Sequence, residues 1–317
     1  MGIIIRNYHK QSIHRYDDLG YIKYFNVSDF PNLLKKEITF TSCGNLLHGY
    51  FYNYPNPTKE NLVIFCHGLG GGHLSYMKEI ELICKQGYTV FSYDVTGCFS
   101  SSGKDIRCLS QSLVDLDNAI KYLKDNNVYN TYKGIFVIGH SWGGYASCNI
   151  GKFHNDIKKI VDMSGFVSVN TIINDSIPKS FIKKMIVKKI MSFEKKQAPR
   201  YFDANITNDG LNPNIDYLFV QSTDDFVVPF KSNIGLVKNK YPNSSFIIFD
   251  NKGHQPSYTV EGSRYLNEVF NNYNKLLKEK KIKTLDEKKE YFSHVDWDKA
   301  TEQDTHFWNQ VFEFFSE

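Results

Sequence analysis

Six short apolar runs do most to limit what this chain can fold into: Leu62–Cys66, Tyr88–Tyr93, Ile135–Ile138, Ile157–Met163, Asp216–Gln221 and Ser245–Phe249. Runs of this length suit strands covered on both faces, the condition of a parallel sheet. Helical patterns lie between them, near Ser75 to Gln86 (stopped by Gly87), Gln111 to Asn126, Phe230 to Lys240 and Tyr258 to Lys281. In the second of these Leu113, Leu116, Ile120 and Leu123 share one face. Strands alternating with helices predict βαβ units and a mainly parallel α/β sheet. Lys36 to Thr41 and Leu46 to Tyr54 read as a hairpin around Cys43-Gly44-Asn45 that precedes the alternation. The apolar spacing of Phe307 to Phe315 predicts a C-terminal helix packed on the sheet.

A chain of 317 residues, 41% of them hydrophobic, can bury a substantial core in one large domain. The net charge of +4 is mild and dispersed, which argues against nucleic acid as a partner. Six cysteines without C-x-x-C spacing, several inside apolar patterns, read as reduced buried thiols and predict a cytoplasmic protein. No apolar run reaches the length of a membrane span. MGIIIRNYHK has the wrong charge order for a secretory leader, and Arg6 stands where myristoylation needs Ser or Thr.

The chemistry centres on Ile135 to Tyr145, IFVIGHSWGGY: an apolar strand, a glycine-pinched turn and the start of a helix. Gly139-His140-Ser141-Trp142-Gly143 fits G-x-S-x-G, in which a serine on a sharp strand-to-helix turn is lifted clear of the sheet. A serine hydroxyl is a weak nucleophile at neutral pH. It needs a base, usually His, which in turn needs an acid to fix its tautomer. Asp224 and Asp225 follow the strand ending at Gln221, and His254 follows the strand ending at Phe249. Both are candidate acids, and Asp225 is the one that stands four residues before Pro229, a spacing whose weight comes from the resemblance below.

Four ordered segments carry a resemblance. They are His67-Gly68 after the third strand, Asp94…Gly97…Ser101…Gly103, the turn at Ser141, and Asp225-Phe226-Val227-Val228-Pro229. In these the chain resembles the α/β-hydrolase superfamily of serine hydrolases (esterases, lysophospholipases, serine aminopeptidases) over about residues 36 to 280. The resemblance implies an α/β-hydrolase fold with a triad of Ser141, Asp225 and His254. It implies an oxyanion hole from the backbone N–H groups of Leu69 and Trp142, and a substrate-facing rim that takes in His67, Gly68, Gly70 and His140. His73 is expected at the mouth or exposed, and the Trp142 side chain near the site or in the core. Phe99 departs from the family pattern, which has Gly there.

The expected reaction is hydrolysis of a carboxylic ester through an acyl-enzyme. Amidase or aminopeptidase, thioesterase and acyltransferase chemistry are possible on the same triad, as is a non-catalytic binding protein on the scaffold. No metal or organic cofactor is called for, and the partner is a small acyl substrate. Residues 1 to 34 read as an N-terminal extension that wraps the surface or helps to cover a site, ahead of one hydrolase domain over 35 to 317. About 165 to 214 lack a buried-strand signal and sit at the family's cap position. Within them Phe181 to Lys196 reads as an amphipathic helix with Phe181, Met185, Ile186 and Ile190 on one side and lysines off it. The simpler reading of that basic face is a solvated cap surface; contact with an anionic substrate or a membrane surface is the sharper one.

Overall fold

The computed structural model describes residues 2–317. Strands and helices follow in the order α1 (Ile3–Ser12), β1 (Leu34–Ser42), β2 (Asn45–Asn53), β3 (Asn61–Cys66), α2 (Met77–Lys85), β4 (Thr89–Tyr93), α3 (Gln111–Asp125), β5 (Gly134–His140), α4 (Trp142–Ile150) and β6 (Ile157–Met163). Then come α5 (Val169–Ser176), α6 (Lys183–Gln197), α7 (Ile206–Asp209), β7 (Asp216–Ser222), α8 (Ile234–Lys240), β8 (Ser245–Phe249), α9 (Val260–Lys278), α10 (Leu285–Ser293), α11 (Trp297–Ala300) and α12 (Thr305–Ser316). The eight strands form one sheet in the order β1-β2-β4-β3-β5-β6-β7-β8. Only β2 runs against its neighbours; β3 to β8 pair in parallel. This is the mainly parallel sheet expected from the strand–helix alternation, in the α/β-hydrolase arrangement that the resemblance implies.

The period of two along a strand decides which core each residue enters. On β5, Ile135 and Val137 join the core beneath α3, α4 and the cap, while Phe136 and Ile138 join the one beneath α2 and α12. Both faces are thus sealed, which is why the run reads as continuously apolar. Phe307, Trp308, Val311 and Phe315 seat α12 on the sheet, as their spacing predicts. Among the described residues no helix is long and apolar enough to cross a membrane.

The N-terminal segment lies over the cap and the loop around Ser101, and the cap helix starts later than the sequence suggests. Residues 1 to 34 hold α1, which packs on α6 of the cap. Tyr8 is buried there, with Ile4 and Ile5 partly covered. Further on, His14 and Tyr16 bridge to Asp105 and Cys98, and Arg15 donates to the carbonyls of Ser101 and Gly103, each at 2.9 Å. In the cap, α6 starts at Lys183, so Phe181 lies outside it and is 98% exposed. Met185 is also exposed, while Ile186 and Ile190 face inward.

Candidate active site

Ser141 joins β5 to α4 at φ 55°, ψ −110°, a left-handed conformation that costs a non-glycine residue on the order of 1–3 kcal/mol. Its surroundings enforce it. The Ser141 N–H donates to the Met163 carbonyl at 2.8 Å, and its own carbonyl accepts from Tyr145 N–H at 2.9 Å. A Cβ on Gly139 would strike the carbonyl of Gly143, and one on Gly143 the carbonyl of Cys66. The two glycines therefore let strand, turn and helix approach closely enough to hold the serine at the end of β5.

Asp225 follows β7 and is buried. Its Oδ1 accepts the N–H groups of Val227 and Val228, each at 2.9 Å. Its Oδ2 lies 2.8 Å from His254 Nδ1 and 3.3 Å from Gln221 Nε2. Burial works against ionisation, yet the hydrogen bond and charge of His254, with the donor from Val228 and Gln221, hold this carboxyl below its ordinary range. An ionised acceptor makes His254 Nδ1 the donor and leaves the lone pair on Nε2. Among the described residues, neither His254 Nε2 nor Ser141 Oγ is taken up by another hydrogen bond. Asp224 is exposed and spends Oδ1 on Ser222 Oγ and on Gly253 N–H, the latter at 2.9 Å. It braces the loop before His254, and of the two acids only Asp225 meets the imidazole.

His140 ties this loop to the turn. Tyr76 O–H lies 2.8 Å from His140 Nδ1 and accepts the Gly68 N–H at 3.0 Å, while His140 Nε2 lies 2.7 Å from the main-chain oxygen of His254. Burial, reinforced by His254, holds the His140 pKa down to about 3. The neutral ring thus donates from Nε2 to His254 O and accepts from Tyr76 at Nδ1. One chain of hydrogen bonds connects the loop after β3, the serine turn and the backbone of His254. The two imidazoles pack with ring centres 4.8 Å apart.

Several rim expectations need correction. His140 is not free to touch substrate, since both ring nitrogens are engaged. His67 is also buried, with Nδ1 2.8 Å from its neighbour's carbonyl at Gly68 and Nε2 accepting from Val95 N–H at 3.0 Å; burial lowers its pKa. Gly68 gives its N–H to Tyr76, and a Cβ there would press on the Tyr76 hydroxyl at 2.6 Å. His73 is neither exposed nor at a mouth: its ring stacks on Tyr50, and Nδ1 lies 2.8 Å from the buried Asp94. The Trp142 side chain is core, with Nε1 donating to Leu109 O at 2.5 Å. Leu69 and Gly70 are the exposed members of the loop, and Gly70 takes φ +90°. Leu69 N–H has no partner among the described residues, and Trp142 N–H opens α4, where the first amides lack helical acceptors.

Phe99 stands at φ 44° where the family pattern has Gly. Its N–H donates to Tyr16 O at 2.8 Å and its carbonyl accepts from Arg15 at 2.5 Å, so the N-terminal segment holds the strained residue. Tyr76 and Gln221 were missed by sequence reasoning. Gln221 closes an apolar run and carried a weak signal; Tyr76 carried none, because its partners come from two other segments.

Residues 57–214 match the family described as "Serine aminopeptidase, S33". The chain is 23% identical over 248 residues to the "Putative esterase/lipase 2" of Mycoplasma genitalium, covering 68% of this chain and 90% of that protein. Among solved structures, the Pyrococcus furiosus esterase Pf2001 superposes with a TM-score of 0.58 at 19% identity, over 85% of this chain and 98% of the esterase. The Pyrococcus horikoshii acylaminoacyl peptidase gives 0.54 at 16% identity, over 72% of this chain and 39% of the peptidase. The sheet order, the likeness in fold to these solved structures and the family match agree, and this chain is a hydrolase belonging to the α/β-hydrolase superfamily.

Proposed function

We propose that the protein is a serine hydrolase that cleaves carboxylic esters through Ser141, His254 and Asp225. The observation that carries this reading is the 2.8 Å contact between His254 Nδ1 and the depressed, buried Asp225. It leaves Nε2 as a base on the imidazole that packs against His140, the residue preceding Ser141. In this scheme Nε2 takes the Ser141 proton as Oγ attacks the acyl carbon. Charge moves to the carbonyl oxygen, where the N–H groups of Leu69 and Trp142 receive it; one such donor is worth on the order of 10²–10³ in rate. Collapse breaks the C–O bond, and the leaving alkoxide takes the proton from His254. Water, deprotonated by the same nitrogen, then attacks the acyl-enzyme and restores Ser141. Asp225 keeps the imidazole in the right tautomer and offsets its positive charge.

A fluorophosphonate probe should label Ser141 in the native protein and fail on His254→Ala. Ser141→Ala should lose p-nitrophenyl butyrate turnover by on the order of 10⁶ in kcat. Full turnover by a folded Ser141→Ala variant would refute the proposal, and absence of labelling would favour a binding protein on the scaffold. The family match favours a second reading, aminopeptidase action on the same triad. Faster turnover of aminoacyl p-nitroanilides than of p-nitrophenyl esters would select it.

A further inference from the structure

We propose that the tip of the cap, residues 178–189, is a docking surface for an anionic lipid bilayer. Phe181 is 98% exposed, and Ile182 and Met185 beside it are 39% and 47% exposed. Single apolar residues on a surface are ordinary. Here three stand together at the start of one helix, ringed by the exposed Lys179, Lys184, Lys188 and Lys189. The sequence has no Asp or Glu from 176 to 193. The next acid, Glu194, is fully buried and accepts from Tyr8 O–H at 2.7 Å and from the N–H groups of Leu109 and Ser110 at 3.0 and 3.2 Å. The tip therefore carries one sign of charge with no internal counterion.

The same segment is two-sided. Inward, Ile177, Ile186 and Ile190 join Ile4 and Tyr8 of α1 and Leu109 around an apolar cavity of about 280 Å³. That inner face and the buried Glu194 anchor the helix to the body, so the outer apolar group is not left over from poor packing. An aromatic residue in a ring of lysines matches an interfacial helix, whose rings enter the headgroup boundary while ammonium groups meet lipid phosphates. A second copy of this chain fits worse, because pairing the tips would bring the two lysine rings together.

The test is sedimentation of the Ser141→Ala protein with vesicles of phosphatidylcholine alone or mixed with phosphatidylglycerol. The serine variant protects the lipid from hydrolysis and separates docking from the proposed catalysis. Binding is expected to the anionic vesicles only, weakening as salt is added. Lys184→Gln/Lys188→Gln/Lys189→Gln should weaken it by about 100-fold, taking about fivefold per surface lysine. Phe181→Ser/Met185→Ser should weaken it by roughly tenfold through lost apolar insertion. No binding to anionic vesicles, or binding that both variants retain, would overturn the proposal. So would a concentration-dependent dimer in light scattering, without vesicles, that Phe181→Ser/Met185→Ser abolishes.

Discussion

His140 Nε2 donates to the main-chain oxygen of His254 at 2.7 Å, so the residue preceding Ser141 fixes the backbone that carries the His254 imidazole. Tyr76 completes the arrangement by bridging His140 Nδ1 and Gly68 N–H. Tyr76→Phe leaves both groups buried without a partner, at about 1–3 kcal/mol each. Thermal melting should show a clearly lowered Tm, and p-nitrophenyl ester turnover should show a reduced kcat. An unchanged Tm would mean that the bridge is dispensable.

The two neighbouring acids should separate in kinetics. Asp225→Asn removes the acceptor that selects the His254 tautomer, and kcat should fall by on the order of 10⁴. Asp224→Asn disturbs only the contacts to Ser222 and Gly253, so kcat should stay within about tenfold of the parent. Equal losses in the two variants would contradict the assignment.

Asp162, one residue before the end of β6, has Oδ1 on Gly165 N–H at 2.8 Å and Oδ2 buried without a partner among the described residues. Burial pushes its pKa up to about 7, against an ordinary 3.8. Between those values the folded state keeps a proton that the unfolded chain has released. Its contribution to stability is therefore full below about pH 4 and lost as pH rises through about 7. His140 works in the opposite sense, losing stability as pH falls from 6.5 towards about 3, and it is common to both proteins compared. The Tm of Asp162→Asn minus that of the parent should be more positive at about pH 8 than at about pH 5. A constant difference would refute the raised pKa.

Glu194 pins the cap helix and α1 to the loop before α3. Glu194→Ala strips the acceptor from Tyr8 O–H and from the amides of Leu109 and Ser110, all buried. A loss of about 2–4 kcal/mol is expected in chemical denaturation. Limited proteolysis should cut first within residues 177–200, and first cuts elsewhere would show that Glu194 does not hold the cap.

The sequence by itself determined the sheet, its order of strands and helices, and the segments that carry Ser141, Asp225 and His254. Those features are written in local signals: continuous apolar runs such as Ile135–Ile138, the glycines at 139 and 143 around Ser141, and the spacing from Asp225 to Pro229. The spacing to Pro229 already favoured Asp225 over Asp224; the tertiary structure added that the chain turns Asp225 inward onto His254 Nδ1 and leaves Asp224 on Ser222 and Gly253. It also turned His67, His73 and His140 from rim candidates into buried supports, and it showed that α1 belongs with the cap. Such outcomes depend on hydrogen bonds and packing between segments far apart in sequence, such as Tyr8 with Glu194 or Tyr76 with His140. Residue type and spacing encode the partners' capacity to bond, while only the folded chain brings them within reach.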